Sequence, residues 1–176
     1  MGFRSFGPRI TAEILTSVER RLDVRFPHDY RAFLMTRNGG QLDDMYVAGP
    51  SELDVGVEEF LSVGPVAGGS DLVAATEHWR SLARGTGWPE SLVVLAECAG
   101  GTLLLIDPHD GQIYGWDDRD PDQFAAVAAS FEELLRTLVR APEENPTGVE
   151  SIWIDPDFAR ELAEGDDPSP DPTTWT

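Results

Sequence analysis

The residues best equipped for chemistry in this chain are few: three histidines, one cysteine and one dense run of aspartates. His28, His78 and His109 are the only imidazoles, and no two stand four residues apart. The zinc-helix arrangement, with two ligands on one helical face, is therefore missing. His28 falls in the first turn of a predicted helix, His78 in the middle of another and His109 in a hairpin turn. These are surface or capping positions. Cys98 could serve as a nucleophile only if a histidine lay beside it in space to take its proton. A lone cysteine among apolar strands reads first as a small hydrophobic side chain. The scatter of the histidines over unrelated elements predicts that none comes within hydrogen-bond reach of its sulfur. No catalytic residue is assigned.

Ligand-binding patterns give equally little. The stretch at 64–71, Gly-Pro-Val-Ala-Gly-Gly-Ser-Asp, precedes a predicted helix, and helix N-termini do bind anions. The whole chain lacks lysine, so a P-loop lysine is impossible, and an acid closes the segment. Loop and cap is the better account. Asp107, Asp110, Asp117, Asp118, Asp120 and Asp122 form the densest set of hard oxygen ligands. Calcium favours such oxygens, but these acids and their glycine do not follow the EF-hand order. Neither a metal nor a cofactor is assigned. The same aspartates, with Tyr114 and Trp116 beside them, would suit a basic protein partner, because Trp and Tyr anchor interfaces and Asp pairs with Arg or Lys. In the competing reading both aromatics face the core and the acids are merely solvated.

Charge sharpens the choice of partner. The 176 residues carry 32 acids against 13 basic residues, every one of them arginine, for a net of −19. Residues 1–40 hold seven arginines and four acids, a net of +3, so residues 41–176 carry −22. Such a surface repels nucleic acid and anionic membrane and speeds encounter with basic proteins. It also simply keeps a protein soluble. No run approaches the ~20 apolar residues of a membrane-spanning helix. The first residues lack the apolar stretch of a signal peptide, and one cysteine cannot form an internal disulfide. The expected location is the cytoplasm.

The elements that must position these side chains are legible in outline. Thr11 is placed to cap a first helix, with Ile10 and Leu15 as a hydrophobic staple. Ile14, Leu15, Val18 and Leu22 then mark its inner face, leaving Glu13, Glu19, Arg20 and Arg21 for solvent. Pro27 opens a second helix with Asp29 in its first turn and Tyr30, Phe33 and Leu34 inward. Asn38-Gly39-Gly40 ends it. Short β-like pieces follow at 45–47 and 60–63. A third helix runs from Ser70 or Asp71 to about Ala83, burying Leu72, Ala75, Trp79 and Leu82. Residues 92–96, 101–107 and 112–116 predict three strands. Their short links force antiparallel pairing, with the Pro108–Gly111 turn between the last two. Five apolar residues at 92–96 predict a central strand covered on both faces. A fourth helix covers 130–139, opened by a Ser130–Glu133 capping box, with Phe131, Leu134, Leu135 and Leu138 inward. Beyond Arg140 come a linker, a short edge strand at 151–154, a short helix at 156–164 and an acidic, proline-rich tail.

In order and spacing these features resemble the SUKH superfamily. Residues 22–34, Leu-Asp-Val-Arg-Phe-Pro-His-Asp-Tyr-Arg-Ala-Phe-Leu, are similar to that family's leucine-glycine, leucine-proline-x-aspartate-tyrosine, phenylalanine-leucine entry. Asn38-Gly39-Gly40 falls where the family has Asn-Gly-Gly. Gly100-Gly101, Asp107, Gly111 and Tyr114-x-Trp116 resemble its central meander, and Ser130-Phe131-x-x-Leu134-Leu135 its closing helix. Asp23 replaces a usual glycine and Phe26 a usual leucine. Asp tolerates left-handed backbone and Phe stays apolar, so neither change threatens the fold. The resemblance spans about residues 10–140.

What the resemblance implies is binding. Bacterial members are largely immunity proteins of polymorphic toxin systems, many directed at nucleases, and a fungal relative is an adaptor in cell-wall regulation. It brings no catalytic residues with it. The expectation is an α+β fold, a mostly antiparallel sheet flanked by helices, with a SUKH-like domain at 1–145, an extension at 146–164 and a tail at 165–176. The expected function is neutralisation of a basic toxin domain by direct contact, with an adaptor or regulatory role as the alternative. The partner-binding residues expected are Asp107, Asp110, Tyr114, Trp116, Asp117, Asp118, Asp120 and Asp122.

Overall fold

The apolar runs between residues 92 and 106 fold as the middle of the sheet that organises this chain. The computed structural model describes residues 3–47, 56–64, 69–82, 90–117 and 120–140, with backbone alone at 44, 120–123 and 140. These residues belong to a compact unit spanning Met1–Ala141. The strand, helix and tail expected at 151–176 lie outside the described residues. The elements are α1 (Ala12–Leu22), α2 (His28–Thr36), β1 (Gly40–Val47), β2 (Gly56–Phe60), α3 (Leu72–Leu82), β3 (Val93–Cys98), β4 (Thr102–Ile106), β5 (Ile113–Asp117), β6 (Asp120–Ala128), α4 (Phe131–Thr137) and β7 (Leu138–Arg140). The seven strands form one sheet in the order β6-β5-β4-β3-β2-β1-β7. Every neighbouring pair is antiparallel.

Register sorts the side chains into two faces. Phe60, Ala96, Leu104 and Gly115 stand in one row across β2–β5. On that face α2 and α4 pack through an aromatic cluster. The Phe33 ring lies 4.8 Å from Phe131 and 5.5 Å from Phe60, and Phe131 lies 5.5 Å from Phe60. A second row, Gln41, Glu59, Glu97, Leu103, Trp116 and Phe124, runs across the opposite face. Here α3 covers the apolar end, with Trp79 5.2 Å from Trp116 and the Thr76 hydroxyl accepting from Val94 N at 3.2 Å. With helices on both sides, β3 and β4 are buried throughout except at Glu97, as a run of apolar residues demands.

The local caps work as side-chain chemistry dictates. Thr11 Oγ1 accepts from Ile14 N, Asp71 Oδ1 from Ala74 N and Ser130 Oγ from Glu133 N. The Glu133 carboxylate reaches back to Ala129 N, one residue earlier than the expected box partner. The turn between α2 and β1 needs its glycines. At Gly39, with φ of +77°, a Cβ would meet two backbone carbonyls at 2.6 Å, and at Gly40 one would lie 2.1 Å from Ser5 O.

Several sequence expectations are corrected. Ile14 is 45% exposed, whereas Glu19, expected in solvent, is buried. Its carboxylate accepts from Phe26 N at 2.9 Å and pairs with Arg31, which ties the α1–α2 connection to α2. The buried face of α3 is Leu72, Val73 and Thr76, with Ala75 and Trp79 half-buried and Leu82 60% exposed. The fourth helix stops at Thr137, because residues 138–140 pair with β1 as β7. The second β piece lies at 56–60, not 60–63. The nine-residue β6 was not expected at all.

Candidate functional site

Eight residues were expected to meet a partner, and the structure separates the five whose side chains it describes. Asp107 and Asp110 stand in the β4–β5 turn, where their carboxylates accept from His109 N at 2.8 Å and Gln112 N at 2.9 Å. These acids serve first to close the turn, an ordinary aspartate role. Asp117 ends β5, opposite Thr102 of β4 and Asp120 of β6, at the far end of the strand. Five residues at ~3.3 Å each put it about 15 Å from the turn. Asp118 and the side chains of Asp120 and Asp122 lie outside the described residues. Trp116 is 4% exposed, with its ring against Trp79, and so belongs to the core. Tyr114 is half-buried and packs on the same core. Trp116 as a surface anchor is therefore withdrawn: facing α3 removes its large apolar area from solvent.

The catalytic candidates also find structural places. Cys98 is buried at the end of β3. Burial, reinforced by the charges of Glu58 and Glu97, pushes its thiol up, the opposite of what a nucleophile needs. His28, His78 and His109 are exposed on α2, on α3 and in the β4–β5 turn.

A site that sequence reasoning missed lies where the second sheet row leaves the cover of α3. A cleft of about 370 Å³ opens over β1, β2 and the end of β3. Glu58, Glu59 and Glu97 supply its charge, Gln41 and Tyr46 part of its wall, and Arg4 stands at its side, already paired with Asp43. Gln41, Glu59 and Glu97 are direct cross-strand neighbours. Two of the carboxylates bracket Ser70, just ahead of α3: Glu59 Oε1 accepts from its backbone N–H and Glu97 Oε2 from its hydroxyl, each at 3.2 Å. The helix N-terminus beyond Ser70 favours negative charge there. Glu59 is only 8% exposed, and burial, opposed by the Ser70 bond and aided by Glu97, raises its carboxyl above the usual glutamate range. Among the described residues no arginine pairs with Glu58, Glu59 or Glu97.

The wall of the cleft continues outward as apolar surface. Tyr46 is 37% exposed and pairs across the sheet with Val139, 46% exposed, on β7. Gly56 gives the Tyr46 ring its room, because a Cβ there would sit 3.3 Å from Cε1. Asp117 lies two strands from Glu97 at this same end of the sheet, since Thr102 opposes Asp117 and Leu103 opposes Glu97. Chemically the arrangement can attract and hold a cation beside an aromatic ring. Among the described residues no three His, Cys, Asp or Glu side chains converge closely enough to hold a metal ion. No helix among them is long and apolar enough to cross a membrane.

Comparison with known proteins agrees with this architecture. A model of the SMI1/KNR4 family (SUKH-1) matches residues 9–137, which covers every element from α1 to α4. Among curated proteins the chain is similar to the SPbeta prophage-derived uncharacterized protein YokK of Bacillus subtilis (strain 168). The two are 28% identical over 166 residues, an alignment covering 84% of this chain and 86% of the relative.

Proposed function

Because the chain belongs to the SMI1/KNR4 (SUKH-1) family, we propose that it is a non-catalytic immunity protein that neutralises a cognate bacterial toxin by direct binding. The observation that carries this reading is the acidic cleft: three carboxylates line it, none of them paired with an arginine among the described residues, and the one arginine at its side, Arg4, pairs with Asp43. A surface of that kind gains when a basic protein supplies the missing charge. The net of −22 on residues 41–176 extends the field that would steer such a partner. A basic nuclease toxin fits best, because covering its nucleic-acid groove needs negative charge in place of phosphate. Similarity to a prophage-derived protein fits a role in conflict between genomes.

The test is protection. A toxin domain encoded beside this gene is expressed in cells with and without the chain, and the purified pair is mixed. Survival with the chain and a stable complex are the expected results. Continued killing, together with no complex at micromolar concentration, rejects the immunity role.

A further inference from the structure

One row of side chains crosses six strands and changes character midway. Leu103, Trp116 and Phe124 are apolar, with Trp116 packed on α3 through Trp79, and Gln41, Glu59 and Glu97 are polar or acidic. From the geometry we infer that the polar half, on β7, β1 and β2 as far as Glu97, docks a basic segment of the protein partner. One arginine side chain would sit in the cleft between Glu59 and Glu97, its guanidinium against Tyr46. This rests on the partner-binding reading above and names its site and chemistry.

Three independent features support an arginine as the occupant. The first is a missing countercharge. Glu59 is more than nine-tenths buried, and among the described residues its carboxylate accepts one hydrogen bond, from Ser70 N, on one oxygen. A buried carboxylate without a cation is costly, and the same group paired and hydrogen-bonded is not. Arg4, at the side of the cleft, has its Nε paired with Asp43 and makes no ion pair with Glu59 or Glu97. The second feature is shape. Glu59 and Glu97 flank the cleft as adjacent cross-strand acids, so a planar fork of N–H donors can address both, which a point ammonium does less well. The third is the aromatic wall. The half-exposed Tyr46 ring gives the guanidinium a face to stack on, and Val139 beside it offers apolar surface to the chain that carries it. A divalent cation is a poorer fit, since the carboxylates do not converge.

The experiment titrates the ¹⁵N-labelled 176-residue chain at low salt with acetyl-Gly-Arg-Gly-amide, with its lysine and citrulline counterparts, and with calcium chloride, following amide shifts. We expect saturable changes at Gln41, Tyr46, Glu59, Glu97 and Ala99 with the arginine peptide, several-fold weaker binding of the lysine peptide and none of the citrulline peptide. The paired Glu59→Gln and Glu97→Gln substitutions, which keep an oxygen to accept from Ser70, should weaken binding at least tenfold. Tyr46→Leu, which leaves those hydrogen bonds untouched, should also weaken it. Shifts centred on Asp107 and Asp110, scattered non-saturable shifts, or calcium shifting the cleft amides while the arginine peptide does not, would each overturn the proposal. The two readings remain separable. If the peptide seats in the cleft but no toxin is neutralised, the site stands and the immunity role falls. If toxin is neutralised equally well by the Glu59→Gln, Glu97→Gln variant, the role stands and this site falls.

Discussion

Asn38 is the residue on which three segments depend. Its side-chain N–H groups donate to Pro8 O at 2.8 Å and Val63 O at 3.0 Å, and its oxygen accepts from Val63 N at 2.8 Å. Its own carbonyl accepts from Gly7 N at 3.1 Å, and its φ of 51° is one that Asn tolerates better than most residues. The side chain is fully used and buried, so Asn38→Ala strands two carbonyls and an N–H. Urea denaturation should show a loss of about 3 kcal/mol; a loss below ~1 kcal/mol would mean that water replaces the amide. Glu59 presents the reverse case. Burial and the neighbouring Glu97 raise its folded-state carboxyl above the unfolded value. A group so shifted favours the folded state when protonated, at pH below the ordinary glutamate range, and that contribution is lost as pH rises through the raised folded value. Glu59→Gln should therefore be more stable than the parent at neutral pH and lose less stability between pH 4 and pH 7. Equal urea midpoints for the two proteins at pH 7 would contradict this.

At the scale of elements, what was legible in the sequence was what local chemistry decides. Caps at Thr11, Asp71 and Ser130 and the paired runs of the β3–β4–β5 meander depend on neighbours within a few residues. Elements set by distant partners were not legible. The alanines of β6 favour helix as readily as strand, and only pairing with β5 makes them extended. Residues 138–140 continue a helical pattern, yet β1 claims them for β7. On α3, Thr76 turns inward because its hydroxyl accepts from Val94 N, which rotates the buried face away from Leu82. The cleft was hidden for the same reason. Glu59 and Glu97 are 38 positions apart, and only the β2–β3 register makes them neighbours. Cover by helices on both faces should also grade local stability. Amides of Val94, Leu95, Leu104 and Leu105, all fully buried, should exchange with solvent at least a hundredfold more slowly than those of Val139 and Arg140 at the sheet edge. Native-state hydrogen exchange measures this directly, and uniform protection across the sheet would show that the edge unfolds only with the whole.

For the whole molecule, the distribution of charge separates how a partner arrives from how it is held. Residues 1–40 carry a net of +3 and the remainder −22. Of the cleft acids, Glu97 lies at the same end of the sheet as Asp117, about 10 Å or two strand spacings across, and Glu59 stands one strand further. Asp118, Asp120 and Asp122 follow Asp117 closely in sequence. Charges that do not touch the partner act mainly on encounter, whereas a seated, desolvated ion pair acts on dissociation. Replacing Asp117, Asp118, Asp120 and Asp122 with Asn removes four charges at nearly constant shape. Against a basic toxin this variant should associate roughly threefold or more slowly at low salt while dissociating at the parental rate. Raising salt from about 0.1 M to 1 M shortens the screening length from about 10 Å to about 3 Å. The parent's association rate should then fall towards the variant's. Glu59→Gln with Glu97→Gln should behave oppositely, leaving the association rate close to the parent's and raising the dissociation rate. Stopped-flow association and surface-based dissociation across ionic strength distinguish the two. A parental association rate flat in salt, and unchanged by the four Asn substitutions, would show that this end of the sheet steers nothing. Dissociation unchanged by the paired Gln substitutions would place the held contact on another face, with the α1–α2 hairpin the first alternative to examine.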